Sequence, residues 1–186
     1  LDQRWGQCLV EQGYSALPLS NTIPFLDIVE KIPFDGFLLT GGKNLHDPYQ
    51  SSRDCFEHDL LTYAFHHRIP ILGVCRGFQV MNYFLKGSLQ PCKGHVAKSH
   101  DVLLFDHVTI HVNSFHSLTV KTLGDDMEPF AQCCHDQSIE GAFHKTLPWI
   151  GIMWHIERDE IFHDFSLSLT SFSLISAISR TLHHGH

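Results

Sequence analysis

Several things are scarce in this sequence, and each absence removes a class of function. No run of basic residues occurs: 13 Lys and Arg are scattered against 20 Asp and Glu, for a formal charge of -7. A nucleic-acid face needs clustered cations, so nucleic acid is excluded as the expected partner. No stretch approaches the roughly 18 apolar residues of a membrane span. The most apolar region, 161–182, is broken by Asp164 and many serines, so no membrane partner is expected. The opening segment carries Asp2, Arg4 and Glu11 and has no apolar core, so it does not read as an export leader. No internal repeat or domain linker interrupts the chain.

Metal motifs are missing as well. There is no HExxH and no paired CxxC, and His66–His67 and His183–His184 are adjacent pairs that do not share a helix face. The 16 histidines therefore read as scattered surface residues, with weak metal binding conceivable only in the closing His183-His184-Gly185-His186. No metal site and no cofactor are expected. The six cysteines (Cys8, Cys55, Cys75, Cys92, Cys133 and Cys134) read as free thiols of a reducing cytoplasm. Cys133 and Cys134, adjacent in an expected strand, would point to opposite faces.

What remains is an ordinary globular composition, 43% hydrophobic and 18% charged over 186 residues, which fits a single domain over 1–186. Helices are expected over 2–12, 23–31, 51–67, about 77–85 and 161–182, and strands over 14–19, 36–40, 69–74, 102–112, 130–135, 139–145 and 149–154. The helix over 51–67 has a serine cap and an apolar stripe of Phe56, Leu60, Leu61 and Ala64. Continuous apolar runs such as Gly36-Phe37-Leu38-Leu39-Thr40 fit strands covered on both faces. Strand and helix alternate through the first half, which implies right-handed βαβ units. The expected fold is α/β: a mostly parallel, Rossmann-like (flavodoxin-like) sheet with helices on both faces and a small antiparallel extension from the β-rich second half.

Two strand ends carry chemistry. Gly73-Val74-Cys75-Arg76-Gly77 has the spacing of a nucleophile elbow with cysteine in place of serine. Small residues two before and two after the nucleophile relieve clashes in a tight strand-to-helix turn. A helix N-terminus behind Cys75 would favour the thiolate, and the Arg76 amide would point at a substrate oxygen. A buried structural cysteine between incidental glycines is the plain alternative. Thr40-Gly41-Gly42 ends a neighbouring strand and could supply a second amide; alone, it reads as a turn. The strand over 149–154 runs into His155-Ile156-Glu157-Arg158. In extended chain, residues two apart face one side, so Glu157 could orient a His155 base.

These segments together resemble the class I glutamine amidotransferases. The resemblance runs from about residue 1 to Arg158 and rests on four motifs in order: Asp35 to Gly42, Ile69 to Gln79, Val112-Asn113-Ser114-Phe115-His116, and Gly151 to Arg158. It implies Cys75 as nucleophile, His155 as acid and base, Glu157 as orienter, and the Gly42 and Arg76 amides as oxyanion hole. It further implies that Gln79, Asn113, Ser114, Phe115 and His116 hold a glutamyl group. On the residues alone, Gln79 reads as a surface helix position and 113–116 as a β-turn. Ile156 stands where many relatives have proline, a change that leaves the two side chains facing the site intact. The first strand of the family's sheet is missing from the sequence, and 159–186 is unlike relatives.

The resemblance implies a cysteine hydrolase that cleaves a γ-glutamyl amide through a thioester on Cys75. Arg76 and Phe78 in the elbow, with 113–116, are similar to stand-alone γ-glutamyl hydrolases. Leu1 to Trp5 and Pro18 to Asn21 are similar to a branch acting on a γ-glutamyl group carried by a nucleotide amidate. A glutaminase subunit serving a synthase partner is the second reading, and an inactive binding module the third. A small γ-glutamyl substrate is the expected partner, with a homo-oligomer or a synthase possible besides.

Overall fold

The computed structural model describes residues 2–11, 13–43, 45, 51–105 and 107–158. Its elements run α1 (Arg4–Glu11), α2 (Phe25–Val29), β1 (Phe37–Leu39), α3 (Ser52–His67), β2 (Ile71–Val74), α4 (Arg76–Phe84), β3 (Ser88–Pro91), β4 (Val96–Leu104), β5 (Thr109–Phe115), β6 (Leu118–Thr122), β7 (Met127–Cys133), β8 (Ile139–His144) and β9 (Trp149–Ile152). A 3-10 turn, Ile156–Arg158, follows.

One sheet of order β1-β2-β9-β8-β7-β4-β5 organises the chain, with β3 paired to β6 and β6 to β8. β1, β2 and β9 are parallel; every other pairing is antiparallel. The fold is α/β as expected, but the antiparallel part is the larger one among the described residues. Side chains of the central strands alternate between two cores. Ile71 and Trp149 join Leu60, Leu61 and Ala64 of α3 and Phe78 and Met81 of α4 on one face. Leu72, Val74, Ile150 and Ile152 face Trp5 and Cys8 of α1 on the other. Helices thus cover both faces, which is why these strands are apolar throughout.

Three sequence expectations change. Residues 14–20 form no strand: Tyr14 and Leu17 are exposed, and Pro18 lacks a ladder donor. The single strand expected over 102–112 is the hairpin β4–β5. His107, at φ 66°, donates its amide to the Leu104 carbonyl across a turn that has neither glycine nor proline to announce it. β3 and β6 have no counterpart among the expected strands; their mixed, partly exposed residues lack a clean apolar signal. The helix expected over 161–182 lies outside the described residues. Among the described residues, no helix is long and apolar enough to cross a membrane.

α3 begins as its serine implies. Ser51 Oγ accepts from the Asp54 amide at 3.1 Å, and the Asp54 carboxylate accepts from the Ser51 amide at 3.1 Å. α4 crosses β1 so closely that a Cβ on Gly77 would lie 1.9 Å from the Leu39 carbonyl oxygen. Backbone cannot yield there as a flexible side chain could. Gly77→Ala should cost roughly 1–3 kcal/mol or more of stability, read as a lowered denaturation midpoint in urea; an unchanged midpoint would refute this packing.

Candidate active site

β2 ends at Val74, and the next residue turns straight into α4. Cys75 adopts φ 53° and ψ −108°, a region costly for any residue with a Cβ. The flanking glycines make the turn possible. A Cβ on Gly73 would lie 2.8 Å from the Phe78 amide nitrogen and 2.9 Å from the Gly77 carbonyl carbon. The Cys75 amide donates to the Ile152 carbonyl at 2.7 Å, tying the elbow to β9. Cys75 is buried, and burial pushes its thiol up to about 11. The Arg76 amide pulls the other way, while the Glu157 carboxylate adds to the rise. A helix N-terminus alone would favour the thiolate; burial outweighs it in the substrate-free protein.

His155 stands past the end of β9, the parallel neighbour of β2. Its Nδ1 bonds the Glu157 carboxylate at 2.7 Å, with both side chains buried. Glu157 lies in the 3-10 turn and not in the extended chain assumed from sequence, yet the pair still meets. The ring is also packed: a Cβ on Gly41 would lie 2.5 Å from His155 Cε1, and Phe115 meets the ring edge-on at 5.7 Å between centroids. Arg158 in turn stacks its guanidinium 4.4 Å over Phe115. Among the described residues, no hydrogen bond joins the Cys75 sulfur to His155. The two share one sheet edge on adjacent strands.

A buried charge network, not anticipated from sequence, braces the loop facing this edge. Arg53 donates to the carbonyls of Thr40 at 2.9 Å and Gly41 at 3.3 Å, and to Glu57 at 2.6 Å. Arg76 donates to Glu57 at 2.6 Å and also to Asp54. Burial works against the Asp54 carboxylate, but bonds from Ser51 and Arg76 overcome it and hold the group below its usual range. The Arg76 side chain therefore points away from chemistry, while its amide opens α4 behind Cys75. The i, i+4 spacing of Arg53 and Glu57 was the available signal.

The expected glutamyl contacts separate into different roles. Asn113 clamps the His155 backbone from both sides: its Oδ1 accepts from the His155 amide at 2.9 Å, and its Nδ2 donates to the His155 carbonyl at 2.8 Å. Ser114 and His116 are fully buried, and each side chain makes a hydrogen bond inside the protein. Ser114 Oγ donates to the His95 carbonyl at 2.7 Å, and His116 Nδ1 to the Leu118 carbonyl at 3.0 Å. Those bonds commit both side chains to the protein interior. Residues 113–115 belong to β5, not to a turn. Gln79 is buried rather than a surface helix residue; its amide donates to the Leu118 carbonyl at 3.0 Å, and its Oε1 has no partner. Phe115 is exposed beside His155. A cavity of about 630 Å³ lined by Phe65, Arg68, Phe84 and Leu147 lies at the opposite end of the parallel strands from Cys75.

The family model of class I glutamine amidotransferases matches residues 3–164. The chain belongs to that family. It is 32% identical to the γ-glutamyl-CDP-amidate hydrolase of Campylobacter jejuni over 92% of this chain and 86% of that one. It is 27% identical to the glutamine-hydrolyzing GMP synthase subunit of Methanocaldococcus jannaschii, over 78% of this chain and 76% of that one. Among solved structures, a Thermoplasma acidophilum protein described as a GMP synthase subunit superposes with a TM-score of 0.72. At 22% identity, covering 97% of this chain and 90% of that one, it establishes the shared fold.

For this glutamine amidotransferase domain, a thiol at about 11 means that roughly one site in ten thousand carries thiolate at pH 7. Iodoacetamide labelling of Cys75, followed by mass mapping to separate it from exposed Cys55 and Cys134, should rise about tenfold per pH unit from pH 7 to 10. A plateau beginning below pH 7 would instead reveal a resting thiolate.

Proposed function

We propose that this chain hydrolyses a substituted γ-glutamyl amide through a γ-glutamyl thioester on Cys75, releasing glutamate, with a nucleotide amidate such as γ-glutamyl-CDP-amidate as substrate. The observation that carries the reading is the buried 2.7 Å His155–Glu157 bond beside a strained cysteine elbow on the adjacent strand. The 32% identity to an enzyme of that name supports the choice of leaving group.

In this mechanism His155 takes the Cys75 proton as sulfur attacks the γ-carbonyl carbon, and Glu157 stabilises the imidazolium. The oxyanion rests on the amides of Gly42 and Arg76, each worth about 2.7–4 kcal/mol of barrier. His155 then passes the proton to the leaving nitrogen as the C–N bond breaks. Water, deprotonated by His155, attacks the thioester; glutamate leaves and the proton returns to sulfur. Because a buried thiol resists ionisation, proton transfer accompanies attack rather than preceding it. Gln79, with its unpaired Oε1, and exposed Phe115 are the glutamyl contacts in this reading.

A second reading, a glutaminase subunit delivering ammonia to a synthase, is favoured by the similarity to the GMP synthase subunit of Methanocaldococcus jannaschii. Assay of the isolated chain separates the two. The hydrolase releases glutamate from γ-glutamyl-CDP-amidate without a partner, whereas an isolated glutaminase subunit is nearly silent. An inactive binding module releases none and leaves Cys75 unlabelled by a glutamine-like electrophile. Cys75→Ala should lower turnover at least about a thousandfold, and Glu157→Gln by less; wild-type turnover in Cys75→Ala would remove the nucleophile assignment.

Asn113 is a positioning residue in this scheme, acting through His155. Asn113→Ala should lower kcat about 10- to 100-fold with KM nearly unchanged and shift the limb of the pH–kcat profile that reports the imidazole. A rise in KM at constant kcat would instead place Asn113 against the substrate.

A further inference from the structure

The histidines are not all on the surface. His95 and His116 are buried against the fully buried carboxylate of Glu140, and His100 is nearly so. His95, His116 and Glu140 place one ligand atom each within 4.8 Å of one another. His95 Nδ1 lies 3.4 Å from Glu140 Oε1, His116 Nε2 3.6 Å from the same oxygen, and His100 Nε2 3.5 Å from Oε2. These separations exceed the 2.7–3.2 Å of an N–H···O bond. Accordingly His95 Nδ1, His100 Nε2, His116 Nε2 and Glu140 Oε2 are all buried without a hydrogen-bond partner. Buried polar atoms left without partners this close together are costly unless something joins them.

The outer contacts set the tautomers. His116 Nδ1 donates to the Leu118 carbonyl at 3.0 Å, leaving the Nε2 lone pair directed inward. His95 Nε2 bonds the Asp136 carboxylate at 3.0 Å, leaving the Nδ1 lone pair inward. A carboxylate or carbonyl behind each imidazole is the arrangement that orients histidines on a metal. Among the described residues, no Lys or Arg pairs with Glu140, so its charge has only imidazoles and the Ser138 hydroxyl for company. Donors of a tetrahedral ion with arms of 2.0–2.1 Å stand about 3.3–3.4 Å apart, close to the 3.4 Å and 3.6 Å that separate His95 and His116 from Glu140 Oε1.

We propose that His95, His116 and Glu140 bind one divalent transition-metal ion of the zinc class. Two imidazoles and one carboxylate suit zinc over calcium or magnesium, which take oxygen ligands. The ion joins the segment before β4 (His95), the residue after β5 (His116) and β8 (Glu140). Ser114 Oγ and the His116 amide both bond the His95 carbonyl, at 2.7 Å and 3.1 Å. The ion thus fixes the same strand end from which Asn113 grips His155. The proposal stands whatever the leaving group of the reaction is.

The full chain is tested with His183, His184 and His186 replaced by Ala, so that the tail cannot contribute ligands. Purified without a tag and stripped by a chelator, it should take up about one equivalent of Zn²⁺ and melt at a higher temperature when loaded. Added Co²⁺ should give the intense visible bands of a tetrahedral site. His116→Ala and Glu140→Gln should each abolish stoichiometric uptake. Asp136→Asn, which alters the outer partner of His95 and keeps an acceptor for the Ser138 amide, should bind Zn²⁺ about 10–100-fold more weakly. Failure of the stripped parent chain to bind Zn²⁺ overturns the proposal, as does parental affinity in His116→Ala or Glu140→Gln. If those two variants do not fold, parental affinity in Asp136→Asn overturns it.

Discussion

Val74 pairs with Ile152, and that rung of the parallel ladder places Cys75 one residue and His155 three residues past a common line. Adjacent strands lie roughly 4.8 Å apart, so the elbow and His155 emerge side by side. A slip of one residue would turn Leu72 and Ile150 out of one core and Ile71 and Trp149 out of the other. The apolar packing on both faces therefore fixes the register, and the register fixes the site. Neither motif has this property alone: a cysteine elbow or a His-x-Glu segment becomes chemistry only where two strands are held in step.

The loop opposite is held by different means. Thr40 and Gly41 have little side chain to pack, so their carbonyls are captured by Arg53. Arg53 is fixed by Glu57, Glu57 by Arg76, and Arg76 by Asp54. Buried ion pairs of this kind contribute little net stability, because desolvation offsets attraction. Their value here is geometric. They lock the loop to α3, and α3 to the first turn of α4, so the Gly42 and Arg76 amides have a fixed relation. Removing one member leaves the others buried and uncompensated, which is more damaging than the pair is stabilising.

Much of this was legible in sequence where one residue type admits one physical role. Gly73 and Gly77 sit where backbone approaches backbone, and Ser51 caps α3 by the hydrogen bond its position implies. Continuous apolar runs gave β1, β2 and β9 because both of their faces are covered. The antiparallel half was harder to read. β3 and the start of β4 are largely exposed and carry mixed residues, and the β4–β5 turn uses no glycine. The Arg76 arm of the ion-pair network and the Asn113 clamp were invisible for another reason. Both depend on which residues meet across long sequence separations, 42 positions in the case of Asn113 and His155. A family motif flags such a residue but does not say which partner it serves.

The histidine cluster illustrates the same limit and connects the two halves of the molecule. His95, His100, His116 and Glu140 have no motif spacing, since they arrive from different elements of an antiparallel sheet. That sheet has no helix to hold it on the scale that α3 and α4 hold the parallel strands. β5 is an edge strand in the order of the sheet, paired only to β4 among the described residues. Yet it must present Asn113 to His155 with hydrogen-bond accuracy. An edge strand frays at its end unless something fastens it. Fastening at His116, three residues beyond Asn113, is where a cross-link would best suppress that motion. The polar atoms gathered there are buried and unpaired, which the fold would not tolerate without a return. The return is a rigidly held His155, supported from the half of the sheet that the sequence motifs leave unmarked.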